Sequence, residues 1–334
     1  MGPTGRLRRP RAAVLFGAAA LALAAPAFAA VNVLQLHADW PHTDFSRLTV
    51  DLADVFSGGV PKDGIRSIDS PEFLAVSRED RLAGTEPVVG LIVNGVARAY
   101  PLRVLIRHEI VNDVIGGVPV AVTYCPLCNT AVVYEREVDG TVLEFGVTGF
   151  LRHSDLIMYD RQTESWWQQF TGDAIAGAYA GTLLKTLPAR LESWDNFQAR
   201  APHGQVLAWF GRYGGNPYVR YDSSRRPFLF FGELPERIAP LARVVTVDGP
   251  GGEREAWALS LLRREGRIEV GDLVLTWEPG QNSALDAAEV ADGWDVGNVL
   301  VQRRTSDGLV DAVFRVDFAF AFKAFHPDAP LHLE

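Results

Sequence analysis

Three dipeptides set the strongest limit on how this chain can fold. Asn94-Gly95, Gly116-Gly117 and Asp139-Gly140 each stand between runs rich in β-branched and aromatic residues. Two-residue loops of that composition supply the positive φ angles that tight antiparallel hairpins need. Residues 88–147 are therefore expected to form a β-meander. Within it, residues 100–107 open with Pro101 and space Leu102, Leu105 and Ile106 along one face, the pattern of a short helix. Farther on, residues 154–160 and 165–170 read as two strands around the turn Arg161-Gln162-Thr163-Glu164, and Ser193 reads as the N-cap of a helix over residues 194–200. The expected class is mainly β, an α+β chain with a few short helices in an antiparallel hairpin and meander architecture.

The motifs recur in the same order. Ala99-Tyr100-Pro101-Leu102 resembles Ala256-Trp257-Ala258-Leu259, and Val122-Thr123-Tyr124-Cys125-Pro126 resembles Leu275-Thr276-Trp277-Glu278-Pro279. Asn129-Thr130-Ala131 is matched by Asn282-Ser283-Ala284, Asp139-Gly140 by Asp307-Gly308, and residues 197–203 by residues 322–326. A preserved order favours an internal duplication. In the second copy Glu278 and Gln281 replace Cys125 and Cys128, His108 corresponds roughly to Glu265, and residues 152–172 have no counterpart. The second copy reads as degenerate scaffold. The expected organisation is a leader over 1–29, a first repeat over 30–210, a Gly- and Pro-containing linker over 211–226 and a second repeat over 227–334.

The leader has the marks of a signal peptide. Arg6, Arg8, Arg9 and Arg11 precede an apolar run over 12–25 that ends in Ala27-Phe28-Ala29. The run is shorter than the roughly 20 residues a membrane-spanning helix needs, so cleavage after Ala29 and a periplasmic or extracellular location are expected. Losing the four arginines takes the formal charge from −9 to −13. That balance repels phosphate backbones and excludes nucleic acid as an expected partner. After the leader no apolar run is long enough to span a membrane, so no span is expected in the mature chain. Nothing in the chain matches a phosphate loop, a dinucleotide fingerprint, a nucleophile elbow or a zinc-protease helix, so neither a nucleotide nor a flavin cofactor is expected.

Cys125 and Cys128 are the only cysteines. The motif Cys125-Pro126-Leu127-Cys128 follows one predicted strand and precedes another, Ala131-Val132-Val133-Tyr134. Thioredoxin-like pairs instead open a helix, whose amide dipoles stabilise a thiolate. A turn between strands resembles the metal knuckle of rubredoxins and zinc ribbons, with Asn129 able to take the left-handed conformation that follows the second cysteine. One knuckle is half of a four-coordinate site, so His, Asp or Met must complete it. If Gly116-Gly117 closes a two-residue hairpin, Ile115 faces Val118, Ile110 faces Thr123 and, should the strand reach that far, His108 faces Cys125. Glu109 and Asp113 then fall on the opposite face. His153 is the second imidazole candidate, with Asp155 and Met158 as weaker ones.

Cys125, Cys128, His108 and His153 would suit zinc or copper. Two other readings remain open. One is a thiol-disulfide oxidoreductase in which Cys125 attacks and His108 assists; the other is a binding module for a small molecule, stapled by a structural disulfide. A bridge across so small a loop would stabilise by only about 2 kcal/mol. Asp160, Glu164 and Arg161 are expected at turns or in solvent, and Trp166-Trp167 can place at most one ring in a ligand cleft, since neighbours on a strand face opposite ways. His37, His42, His203, His326 and His332 carry no sign of a site.

The runs Ala97-Arg98-Ala99-Tyr100-Pro101-Leu102, His108-Glu109-Ile110-Val111-Asn112-Asp113 and Thr123-Tyr124-Cys125-Pro126-Leu127-Cys128 resemble the prokaryotic family known as domain of unknown function 3179. Ser154-Asp155-Leu156-Ile157-Met158-Tyr159-Asp160-Arg161, Trp167-Gln168-Gln169-Phe170-Thr171-Gly172 and Asn216-Pro217-Tyr218 extend the resemblance over nearly all of the mature chain. It implies an exported protein that shares the cysteine pair, and it brings no activity with it. Members often carry Asn at the position of His153, which ranks His108 above His153 as a ligand.

Overall fold

The computed structural model describes residues 1–2, 33–209, 215–248 and 253–334. The expected leader and its cleavage site therefore lie outside the described residues. Short antiparallel strands dominate, as expected, with five short α-helices among the described residues.

The three dipeptides do what their chemistry requires. Asn94-Gly95, Gly116-Gly117 and Asp139-Gly140 all hold positive φ, and each closes a hairpin: Val93 faces Val96, Ile115 faces Val118 and Val138 faces Thr141. The second of these runs in the expected register, with Ile110 opposite Thr123. Pro119 lies within its strand Val118–Cys125 without interrupting that register. The helix predicted for 194–200 is Trp194–Arg200, and the Ser193 side chain accepts a bond from the Asn196 amide. The helix predicted for 100–107 is Leu102–His108, with Pro101 just ahead of it.

Two sheets share one plan. In the first, Arg190–Ser193 pairs antiparallel with Pro87–Val93, which pairs with Val96–Pro101, beside which Gln205–Leu207 runs parallel. In the second, Phe314–Phe318 pairs antiparallel with Arg243–Asp248, which pairs with Arg254–Ala258, beside which Leu331–His332 runs parallel. In each sheet a helix, Trp194–Arg200 or Ala319–Phe325, carries the chain from the antiparallel edge strand toward the parallel one. The helices Leu102–His108 and Leu259–Glu265 likewise follow corresponding strands and lead into further hairpins. The halves diverge after Glu278. Its partner across the ladder is Asn298, whereas Cys125 pairs with Thr130, so the strand answering Thr130–Glu135 is Asn298–Thr305. The Asn282-Ser283-Ala284 run that resembles Asn129-Thr130-Ala131 instead sits in the excursion between the two strands.

A further five-stranded sheet has no second-half equivalent in this plan. It runs Val55–Ser57, Phe145–Arg152, Asp155–Asp160, Trp166–Gln168, Ala174–Ala176. The adjacent tryptophans face opposite ways, as strand geometry demands: Trp166 packs with Trp40 and Phe45, Trp167 with Phe145, and the two rings belong to separate apolar clusters, that of Trp167 including Met158 and Cys128. Both are fully buried, so both rings are core.

One apolar cluster runs through both halves, joining Val88, Val122 and Phe197 to Val245, Leu275 and Val301. Residues 215–226 lie against this body. Asn216 donates to the Ala284 carbonyl at 2.7 Å, and Asp222 accepts from Arg243 at 3.1 Å and from Ser283.

Candidate metal centre

Three parts of the chain meet at the cysteines. The first is the turn itself. Cys125 ends the strand Val118–Cys125 and pairs with Thr130, which opens Thr130–Glu135, so Pro126 to Asn129 are a four-residue loop between strands. Asn129 closes it at φ 53, the left-handed conformation expected of it. No helix follows the turn in the chain.

The second part is a hairpin tip from the extra sheet. Arg152 faces Asp155, which leaves His153 and Ser154 as a two-residue loop at φ 53 and 64. This tip aims the Ser154 carbonyl at both thiols, 3.4 Å from Cys128 Sγ and 3.9 Å from Cys125 Sγ. It also delivers Asp155. The Asp155 carboxylate and the two sulfurs lie within 4.8 Å of one another, and all three residues are buried. These three can hold a metal ion. A tetrahedral ion with bonds of about 2.0–2.3 Å sets its ligand atoms roughly 3.5 Å apart, so little closure is needed.

The third part comes from the second half. Phe318 N donates to the Cys128 carbonyl at 2.9 Å, Asn129 Nδ2 to the Val316 carbonyl at 2.8 Å, and Thr130 Oγ1 to Asp317 Oδ1 at 2.8 Å. The strand Phe314–Phe318 thus clamps the cysteine turn from behind. Gln169 adds a brace from the extra sheet, donating to Thr123 Oγ1 and the Thr130 carbonyl.

The electrostatics are one-sided. Burial pushes both thiols up, Cys128 well above its ordinary value, and the neighbouring Asp155 adds to the effect on each. Asp155 itself is pushed up to about 7 by burial, although its Oδ2 accepts from Gln168 Nε2 at 2.7 Å and from Phe170 N at 2.9 Å. Its Oδ1 is buried and receives no N–H or O–H donor among the described residues. The two thiols also donate toward this carboxyl and hold its value down against burial. No lysine or arginine forms an ion pair with Asp155 among the described residues.

Glu109 belongs to the same neighbourhood. The expected strand stops at Ile110, because the helix Leu102–His108 runs up to it and the chain turns at Glu109 with φ 58 and ψ −31. The Glu109 amide still donates to Leu105, and its carbonyl accepts from Tyr124 N at 2.8 Å. The residue is 7% exposed, and its carboxyl is pushed up to about 8 by burial and by the charge of Asp155.

That turn also decides His108. It closes the helix instead of facing Cys125 across a ladder, and its Nδ1–H donates to the Arg66 carbonyl at 2.8 Å. His153, at the hairpin tip, packs edge-on against Phe325 at 5.1 Å and is held neutral, down to about 4, by burial and by Arg152. Neither imidazole joins the group of three. Met158 is fully buried in the same apolar cluster as both cysteines. The remaining carboxylates are structural: Asp160 accepts from Thr163 and Trp167, Glu164 from Lys62, Asp113 from Arg98 and Tyr100, while Arg161 gathers Asp69 and Glu144.

Of the sequence candidates, the structure therefore brings together Cys125, Cys128 and Asp155, and adds Glu109 nearby. One sequence signal marked Glu109. The matching position after the helix Leu259–Glu265 is Gly266, the residue helices favour where they stop, and here a glutamate stands instead. The chain belongs to the family described as Protein of unknown function (DUF3179), whose model matches residues 62–329. No curated protein and no solved structure matches it.

Proposed function

We propose that this member of the family is an exported metal-binding protein whose ion is held by Cys125, Cys128 and Asp155. The observation that carries the reading is the meeting of two buried thiols and the buried Asp155 carboxylate, whose ligand atoms lie within 4.8 Å of one another. Burial holds all three groups toward their protonated forms, and a bound cation would favour the ionised forms that coordinate it. Two thiolates with an oxygen donor suit zinc; copper(I) would gain less from the carboxylate. Three protein ligands leave one tetrahedral position for another group. In this reading the second half is a degenerate copy that lost its site and kept its scaffold. The leader-like segment over 1–29 supports export, which cell fractionation checks.

Dithiol redox chemistry fits the geometry less well. An attacking cysteine needs a stabilised thiolate and access to its partner, whereas here burial raises both thiols and Cys128 is fully enclosed.

The test is elemental mass spectrometry on mature protein purified from its native compartment, with thiols counted by alkylation on the same sample. Near-stoichiometric zinc that vanishes in Cys125→Ser/Cys128→Ser is the expected result. Protein without metal, oxidised at both sulfurs, would sink the proposal.

A further inference from the structure

We infer that the second half carries a binding pocket of its own, which takes a small organic carboxylate with an apolar body and sets its charge on Arg243. The inference stands apart from the metal reading: the pocket's walls lie within residues 222–296 and include neither cysteine nor Asp155.

The first ground is a cavity and the substitutions that open it. A space of about 530 Å³ lies between residues 222–225, the approach to the strand Arg243–Asp248, the helix Leu259–Glu265 and Trp294. Pockets that hold small molecules have about 300–1,000 Å³. In the plan that the two sheets share, Val244 pairs with Ala258 as Val88 pairs with Pro101. Ala242, Arg243 and Ser260 therefore stand where the first half has Glu86, Pro87 and Arg103. There Arg103 Nε donates to Glu86 at 2.6 Å, and the ion pair occupies the corner. The second half replaces that pair with two small side chains and moves its charge to Arg243, on the cavity wall.

The second ground is the state of Arg243. Its side chain is 5% exposed, and its guanidinium lies over the rings of Trp294 and Phe318, 5.4 Å from each centroid. Only Nη2 has hydrogen-bond partners among the described residues, Asp222 at 3.1 Å and Ser283 at 2.8 Å. Nε and Nη1 keep their protons for an acceptor that these residues do not supply. Asp222, the one acid in the wall, is already engaged: its Oδ2 accepts from Arg243, Ser283 and Trp294 Nε1, and its Oδ1 is enclosed.

The third ground is the charge and texture of the wall. Arg225 and Arg263 join Arg243, so three arginines face one aspartate in a chain whose formal charge is −9. Arg225 and Arg263 are exposed and form no ion pair among the described residues, and Arg263 lies over the Trp277 ring at 5.1 Å. A local excess of positive charge on an acidic protein draws anions. Pro240, Leu241, Leu259 and Val296 line the rest, and Trp294 adds a ring that is 46% exposed. One buried guanidinium in such surroundings matches a carboxylate on an apolar body.

The experiment titrates the mature chain with 3-phenylpropionate and with octanoate by calorimetry, taking 3-phenylpropanamide as the uncharged control. Saturable binding of carboxylate is expected, with the amide weaker by at least about tenfold. Ser260→Phe grows an exposed helix residue into the space and should abolish binding, while the ligand-free melting temperature stays at the wild-type value. Arg243→Gln/Asp222→Asn removes both charges of the buried pair together, so neither is stranded, and the preference for acid over amide should vanish. Arg225→Gln/Arg263→Gln, on exposed side chains, should weaken carboxylate binding severalfold and flatten its salt dependence. The inference fails if neither carboxylate binds the wild type saturably, if acid and amide bind equally, or if Ser260→Phe binds as the wild type does.

Discussion

At the end of Leu102–His108 the chain turns through Glu109, and at the end of Leu259–Glu265 it makes the same turn through Gly266. The following hairpins also begin alike, yet one leads to Cys125-Pro126-Leu127-Cys128 and the other to Glu278-Pro279-Gly280-Gln281. The second half holds its corner with the residue that corner favours and carries an exposed Glu278 and a buried Gln281 where the first has its cysteines. The first half turns its corner through a strained acid and gathers two thiols and the Asp155 carboxylate within 4.8 Å of one another. The second half builds the same corner and hairpin without a thiol, so the comparison separates what the fold needs from what the candidate site adds.

The sharpest way to break this contrast is to remove ligands on each side of it. Asp155→Asn keeps the shape and can still accept from Gln168 and Phe170, so the fold should persist while zinc affinity falls by about tenfold to a hundredfold or more. The corresponding second-half change, Glu278→Gln, should leave metal content untouched. Chelator competition on both variants reads the difference, and equal losses would erase the distinction between the halves.

A second test uses pH. Burial raises Glu109 to about 8 and Asp155 to about 7, above their ordinary values of 4.5 and 3.8. Between those limits the folded, metal-free protein binds more protons than the unfolded chain. Its stability must therefore fall as pH rises from about 4 to about 8. Metal competes with protons at Asp155, so affinity should rise over that window. Thermal melts of metal-free and zinc-loaded protein at pH 5 and 8 check this; a flat metal-free profile would mean that burial does not hold the two acids protonated.

Smaller effects probe the scaffold. Thr130→Val removes the donor to Asp317 across the two halves and should cost about 1–3 kcal/mol in chemical denaturation, since the carboxylate loses a partner in a buried setting. The corner offers a matched pair of opposite sign. Gly266→Ala should destabilise by about 1 kcal/mol, because a Cβ there meets open space and only the backbone angle opposes it, while metal-free Glu109→Gly should gain about the same amount. Two losses, or two gains, would show that the corners are not equivalent.

The outcome shows where sequence reasoning is strong. Local chemistry alone determined the Asn94-Gly95, Gly116-Gly117 and Asp139-Gly140 hairpins, the register that pairs Ile110 with Thr123, the Ser193 cap, and a cysteine turn between strands with Asn129 in the left-handed region. Each depends on interactions a few residues apart, so dihedral preference and alternation suffice. Tertiary structure decided the rest. His108 lies outside the ladder that leads to Cys125 because the preceding helix runs on to it and the chain turns abruptly at Glu109. Asp155 joined the cysteines because a separate sheet brings its hairpin tip to them, and Phe314–Phe318 from the other half holds the turn in place. These contacts join residues roughly thirty to almost two hundred positions apart. They follow from how separate sheets pack on one core, a property of the assembled chain that no local pattern encodes.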